Sequence, residues 1–550
     1  IPSYIPFWVA KEAARDDSTE VNLQTLREKI AQFLPYQMPY NVVANINGDP
    51  RTRMAFCWFT NERMKEGRVE LMPLSDNQQP NNENFTPSIL IPATPTVTLP
   101  LNYATSSSGI LKAAKMKPTQ EYTYVSHKAI AEGLTPNTTY AYRVGTEGYW
   151  SEIGFFTTAP DKEEPFTFIY MTDSHIMNQA YVDDARMCAT AAAQYVPEAR
   201  FCVFPGDFVE TGTNRNSEWE WERWFDEALQ PVIQQMPIVP TDGNHDDSEN
   251  LNYSYHFNTD NQFKENAHIK PQFDGTTYSF MYGDVLFLVY SLQDYWKGAY
   301  SLSSLTSTYL TNDVGNWFRE QVQAHPEAKW RVALVHKNIF SGSSHQEDEE
   351  TPLFRATMLP IMKECEIDLM LQGHDHCYEV IGPVNPDTQT PIKEAIADLE
   401  PTVLSASRNK GGTFTVNDGT LYFIGATCGS KRYSPNSKAV MEADFSKHKV
   451  ENYYDLFTGM FCQPGAPSYS SFTVDGNTIT VNSYKVPKGK APELFNTFRI
   501  KRTKDHAAQT SDQKKALKIM QNGLVYIMHD NIAYNSTGQI VSNGNIANSR

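Results

Sequence analysis

Hydrophobic and polar positions follow two successive textures along this chain. From Asn41 to about residue 160, short runs rich in β-branched and aromatic residues, such as 53–60 and 139–145, are separated by turns such as Asn47-Gly48-Asp49-Pro50. That pattern predicts strands joined by tight connections. Residues 75–100, rich in Asn, Pro, Thr and Ser, read as a long loop within this β region. After about residue 165, apolar runs of strand length alternate with helical stretches at 179–195, 217–235, 314–324 and 352–364. Such alternation predicts a layered α/β domain with helices against the sheets. Ahead of both lies a lead-in with one helix, capped by Asp17-Ser18 and carrying Val21, Leu23, Leu26, Ile30 and Leu34 at helical spacing. Residues 470–502 return to strands. A lysine-rich linker at Lys514-Lys515 then leads to a small tail with one hairpin, 524–528 and 532–534. The organisation expected is a helical lead-in (1–37), an all-β sandwich (38–160), a large α/β domain (161–502) and a small C-terminal tail (503–550), with no internal repeat of solenoid period.

Composition narrows the function classes. Asp and Glu total 64 against 47 Lys and Arg, a formal net charge of −17. A chain so acidic is not expected to clamp duplex nucleic acid, which needs clustered cations. With 40% hydrophobic and 12% aromatic residues there is apolar material for real cores, which excludes a disordered chain. No apolar run approaches the ~18–20 residues of a membrane span. The seven cysteines lie far apart with no CxxC pair, so neither a disulfide scaffold nor a cysteine zinc site is expected. The chain opens Ile1-Pro2 with neither an initiating Met nor a signal peptide, and reads as processed or trimmed.

The chemistry gathers where five apolar runs break into polar ligand types. The run beginning at Phe166 leads to Asp173-Ser174-His175, and the run from Phe201 to Gly206-Asp207. Pro237 onward leads to Gly243-Asn244-His245-Asp246, Trp330 onward to His336, and Ile367 onward to Gly373-His374-Asp375-His376. In open α/β sheets, loops beyond the carboxyl ends of strands are where sites collect. Carboxylate and amide oxygens mixed with imidazole suit Zn, Mn or Fe. The glycines before Asp207, Asn244 and His374 let the backbone turn beside a ligand. In Asp173-Ser174-His175 and His374-Asp375-His376, alternate residues point the same way if the stretch is extended. Each piece alone is weak, and Gly283-Asp284 is a chance instance; the five together, each after a strand, are a strong signal.

In that order these motifs resemble the calcineurin-like metallophosphoesterases, whose pattern is D-x-H, G-D, G-N-H-[DE], H, G-H-x-H. The resemblance covers residues 165–485. The preceding region looks like the N-terminal domain of purple acid phosphatases and extends the likeness to 38–485. There the segment Leu134-Thr135-Pro136-Asn137-Thr138-Thr139-Tyr140 resembles the tyrosine corner of a fibronectin type III-like sandwich. The implied fold is an α/β four-layer sandwich preceded by an all-β fibronectin type III-like sandwich. The implied cofactor is a pair of divalent or mixed-valence metal ions, Mn, Zn or Fe. Asp173, His175 and His376 would hold the first ion, Asn244, His336 and His374 the second, and Asp207 would bridge them. His245 would face the phosphate and the leaving oxygen, with Asp246 orienting its ring. His345, nine residues after His336, matches the spacing of a substrate-facing histidine in purple acid phosphatases. The implied reaction is hydrolysis of a small phosphate ester by in-line attack of metal-bound hydroxide, monoesters favoured. A phosphodiesterase or nucleotide pyrophosphatase is the alternative, and a non-catalytic binding protein on the same scaffold the reading from another class.

The chain also departs from the purple acid phosphatases. Their ferric-iron tyrosine, three residues after the bridging Asp, is Glu210 here, and the histidine they lack in D-x-H is present as His175. No purple colour and no fixed ferric ion are therefore expected. Lys337 and Arg408 are weaker candidates for phosphate contact. Cys377 reads as a core thiol, and Trp219, Trp221 and Trp224 as helix packing. The tail around Asn522-Gly523 and Tyr534-Asn535 looks like C-terminal segments of some secreted bacterial proteins, which with the sandwich favours an exported protein.

Overall fold

The computed structural model describes residues 37–75, 78–103, 121–210, 217–246, 252–260, 262, 275–293, 305–401, 409–443 and 450–506, and in the tail 517–521, 524–529, 532–535 and 540–541. The predicted lead-in helix, Arg408 and the Lys514-Lys515 linker lie outside them.

Two sheets face each other across an aromatic core. Among the described residues the larger has 12 strands, and its centre is Phe166–Tyr170, Ala199–Pro205 and Ile238–Thr241, paired in parallel. The smaller has eight, with Val285–Val289, Trp330–Leu334, Leu369–Gln372 and Thr420–Gly425 in parallel at its centre. Side chains alternate across each strand. Val285, Phe287 and Val289 join Phe166, Phe168 and Tyr170 in the core between the sheets. Leu286 and Leu288 face the other way, against Trp317, Phe318, Phe354 and Met358 of the helices Gly315–Ala324 and Glu350–Glu364. On the far side Ile169, Cys202 and Phe204 meet Val182, Ala185, Trp221 and Trp224. The last four belong to the helix Gln179–Tyr195 and the broken helix over 218–233. Helix, sheet, sheet, helix is the expected four-layer order. Strands buried on both faces explain the near-continuous apolar runs in the sequence. Each fully buried Phe or Leu contributes ~1.5–3 kcal/mol. The three tryptophans pack as predicted, and Cys377 is a buried free thiol.

The N-terminal all-β region packs a second core, with Phe56, Trp58, Val69, Leu71, Tyr140 and Tyr142 between two sheets. The Tyr140 hydroxyl accepts from the backbone N–H of Thr135 at 3.0 Å, closing the predicted corner. One of its sheets is not separate. Strand Tyr40–Asn45 pairs in parallel with Ile238–Thr241 at Asn45 and Ile238, so Tyr40–Asn45, Met54–Asn61, Tyr124–Ala131 and Thr94–Val97 extend the 12-stranded sheet. The expected long loop at 75–100 contains two short strands, Ile89–Pro92 and Thr94–Val97. Both carry proline, which edge strands tolerate because one side of the backbone has no partner to donate to.

Residues 505–550 form a separate compact unit. Its described strands Leu517–Gln521, Leu524–His529, Ile532–Asn535 and Ile540–Val541 pair antiparallel in sequence order, the predicted hairpin being the middle pair. No helix among the described residues is long and apolar enough to cross a membrane.

Candidate metal centre

The five predicted strand ends converge. The larger sheet delivers Asp173, His175, Asp207, Asn244 and His245, and the smaller delivers His336, His374 and His376. All but Asn244 and His245 of these are essentially buried. Side-chain ligand atoms of Asp173, His175, Asp207 and His376 form one tight group, and those of Asp207, His336 and His374 a second.

The backbone reaches this arrangement in an unexpected way. Asp173 (φ 56°), His175 (46°), Asp207 (54°), His374 (74°) and His376 (47°) all adopt the left-handed conformation that non-glycine residues rarely hold. The two x-positions point elsewhere: Ser174 Oγ donates to the Phe208 carbonyl, and the Asp375 carboxylate accepts from the loop Ser341–Ser343. Alternate residues do share a side, but through left-handed turns rather than an extended stretch. The glycines also divide by role. Gly206 (φ 81°) makes a turn, whereas Gly243 is needed for space, because a Cβ there would lie 2.2 Å from Asp207 Oδ1.

Distances within the two groups suit a metal. Ligand atoms ~2.0–2.1 Å from one ion lie about 3–3.5 Å from each other. His175 Nε2 is 2.9 Å from His376 Nε2, 3.2 Å from Asp207 Oδ2 and 3.6 Å from Asp173 Oδ1, while His376 Nε2 is 3.1 Å from Asp173 Oδ1. On the other side His336 Nε2 is 3.2 Å from Asp207 Oδ2 and 3.1 Å from Asn244 Oδ1. His336 Nδ1 donates to the Pro205 carbonyl at 2.7 Å, which turns its Nε2 towards two oxygens with room between them for a proton or a metal. Lone pairs converging in a buried site repel one another unless a cation or proton sits between them. Asp207 Oδ2, buried and without a hydrogen bond of good geometry, is the oxygen common to both groups. The residues present therefore fit two metal ions.

Electrostatics reflect the same crowding. Burial pushes the His376 imidazole down to about 4 and lowers His374 as well. Burial alone would also lower His336, but the Asp207 carboxylate outweighs it and holds this ring at about 9. Burial works to raise Asp207, yet His336, His245 and His175 hold it well below the usual carboxylate range.

The flanking residues refine the sequence reading. The His245 backbone N–H donates to Asp207 Oδ1 at 2.9 Å, and its ring packs edge-on to His175 at 4.7 Å. Its Nδ1 lies 2.5 Å from the Glu210 carbonyl oxygen, and burial lowers its pKa below the ordinary histidine value. Asp246 is engaged with the backbone. Its carboxylate accepts from the backbone N–H groups of Asp207 (2.6 Å), Gly243 (2.8 Å), Phe208 (2.8 Å) and Val209 (3.3 Å), tying the Gly-Asp loop to the Gly-Asn-His-Asp loop. His345 stacks on His374 with ring centroids 3.6 Å apart, and its Nδ1 is 2.8 Å from Asp348 Oδ2. Lys337 is buried and paired with Glu350 at 2.6 Å. Sequence reasoning gave no place in the site to Glu210 beyond the missing tyrosine, and none to Lys431 or Tyr433. Glu210 and Tyr433 lie against the first group, and Lys431 lies behind it on the Glu210 carboxylate.

Comparison with known proteins agrees with the resemblance read from the motifs. Residues 166–378 match the family described as calcineurin-like phosphoesterase, and residues 39–158 match the purple acid phosphatase N-terminal domain. An uncharacterized protein of Mycobacterium tuberculosis is 25% identical over 281 residues, 47% of this chain and 52% of that protein. A probable purple acid phosphatase of Arabidopsis thaliana is 25% identical over 259 residues, 46% of this chain and 55% of its own length. The chain thus spans about half the length of the curated relatives it matches. The structure of a purple acid phosphatase from yellow lupin superposes with a TM-score of 0.58 at 15% identity, covering 85% of this chain and 75% of that one, and shares the fold.

Proposed function

We propose that this chain is a binuclear-metal-dependent phosphoesterase that hydrolyses small phosphate esters, monoesters in preference to diesters. The observation that carries the reading is Asp207 Oδ2, a buried carboxylate oxygen 3.2 Å from His175 Nε2 on one side and 3.2 Å from His336 Nε2 on the other. A pair of metals at such a site polarises phosphate oxygens and makes a potent nucleophile of water at neutral pH. The protein's own part is placement. Asp246 locks the two loops that carry Asp207 and Asn244, which would hold Asp207 Oδ2 in place between the two ions. His245, tethered at its backbone N–H and at Nδ1, stands beside the first group, where a protonated ring can meet charge developing on the leaving oxygen. His345, over His374, borders the second group and is the further substrate-facing candidate. The preference for monoesters draws support from the purple acid phosphatase N-terminal domain match. The tail's likeness to segments of secreted bacterial proteins supports an exported protein, testable by fractionating the source cells.

The test is metal analysis of the purified chain together with hydrolysis of a chromogenic phosphomonoester and a bis-phosphodiester. Two ions of Mn, Zn or Fe per chain and faster turnover of the monoester are expected. Faster turnover of the diester would reverse the substrate preference. Two bound ions with no turnover of either would favour a binding protein on this scaffold.

A further inference from the structure

The first metal group is backed by residues outside it. His175 Nδ1 lies 2.6 Å from Glu210 Oε2, an ion-pair contact without the angle of a good hydrogen bond. The Glu210 carboxylate is in turn 3.3 and 3.4 Å from Lys431 Nζ. Two residues further on, Tyr433 lies flat on His376, with ring centroids 4.3 Å apart and planes 2° from parallel. One short segment, Lys431-Arg432-Tyr433, thus braces both imidazoles of the first group, whose Nε2 atoms meet at 2.9 Å. The second group is fixed differently, with His336 anchored by a backbone carbonyl.

The physical consequence is specific. A carboxylate close to Nδ1 favours the tautomer with the proton there, which leaves Nε2 for a metal. A flat aromatic neighbour fixes the plane of the ring it covers. The Lys431 ammonium beside the Glu210 carboxylate supplies the opposite charge that holds it in this place. His245 Nδ1 meets the Glu210 backbone carbonyl at 2.5 Å, and the Glu210 carboxylate lies within 4.8 Å of a nitrogen of the same ring.

We propose that Glu210, held by Lys431, and Tyr433 are positioning residues for the first metal ion, setting its affinity while leaving that of the second unchanged. The inference rests on the reading that the centre holds two ions. Glu210→Gln removes the carboxylate's charge at nearly constant shape, and the backbone contact to His245 survives the substitution. The experiment is titration of the metal-stripped full chain with Mn(II), followed by electron paramagnetic resonance and elemental analysis. The natural chain is expected to fill both sites and give an exchange-coupled spectrum. Glu210→Gln and Tyr433→Leu should weaken one site by about 10–100-fold, so that limiting Mn(II) gives the six-line spectrum of a single ion. Tyr433→Phe, which keeps the stacked ring, should restore the coupled spectrum. Lys431→Met should give a smaller loss in the same direction. Two ions bound by Glu210→Gln with unchanged affinities would overturn the positioning role. Fewer than two ions bound by the natural chain would instead overturn the two-metal reading on which it rests.

Discussion

The two sheets bring different chemistry to one place. Strands Phe166–Tyr170, Ala199–Pro205 and Ile238–Thr241 of the larger sheet end in the oxygen donors Asp173, Asp207 and Asn244, together with His175. Strands Trp330–Leu334 and Leu369–Gln372 of the smaller end only in imidazoles, His336, His374 and His376. Each metal group draws on both sheets: His376 completes the first, and His336 and His374 complete the second. Neither sheet alone holds a site, so the aromatic core that joins them is as much a part of the metal centre as its ligands.

The severest way to break this arrangement is at the atom both groups share. Asp207→Asn removes the charge of the carboxylate proposed to bridge the ions, and elemental analysis should show lost metal with phosphatase activity abolished; retention of two ions would show that the bridge lies elsewhere. Next comes His245→Ala, which leaves every proposed ligand in place. It should keep both ions and slow turnover by ~10²–10⁴. An unchanged rate would remove His245 from the chemistry.

The third test moves away from the site to the join between the sheets. Phe287, fully buried, stacks on Phe280 at 4.9 Å and meets Phe168 and Phe201 of the opposite sheet edge-on, each at 5.5 Å. Phe287→Ala should cost about 3–5 kcal/mol in denaturant unfolding. Saturating metal, which binds only the packed form, should recover part of that loss. A stable variant with normal metal affinity would uncouple the core from the centre.

The smallest effect sharpens a contrast within the larger sheet, at its N-terminal extension. His127, fully buried, stacks on Trp58 at 5.1 Å and meets Thr60 Oγ1 at 2.8 Å, and burial lowers its pKa to about 4. A histidine lowered from ~6.5 is neutral in the fold and must take up a proton to unfold in acid. Its contribution is complete above pH 6.5 and is lost as pH falls towards about 4, amounting to roughly 3 kcal/mol. His127→Gln should flatten the pH dependence of the unfolding midpoint across that window, and an unchanged slope would place the acid sensitivity elsewhere.

Much of this was legible in the sequence, for identifiable reasons. The five strand ends could be read because an apolar run and the polar residues that end it are neighbours in the chain. Helix Gln179–Tyr195 showed in its spacing, and the Tyr140 corner in a local turn. What could not be read depends on residues far apart. Glu210 meets a histidine 35 positions earlier, and Tyr433 one 57 positions earlier, from a segment with no periodic pattern. That Asp246 ties two loops together was hidden too, because adjacency to His245 says nothing about which backbone N–H groups a carboxylate will reach. Pairing of Asn45 with Ile238 likewise joins distant parallel strands, which leave no turn between them as a sign.

The central claim is one carboxylate oxygen serving two metals, and the most direct measurement is a crystal structure of the Mn- or Zn-loaded chain with anomalous scattering. Two peaks about 3.5–4 Å apart, with Asp207 between them, His175 and His376 on one and His336 and His374 on the other, are predicted. A single peak, or two that do not share Asp207, would contradict the account.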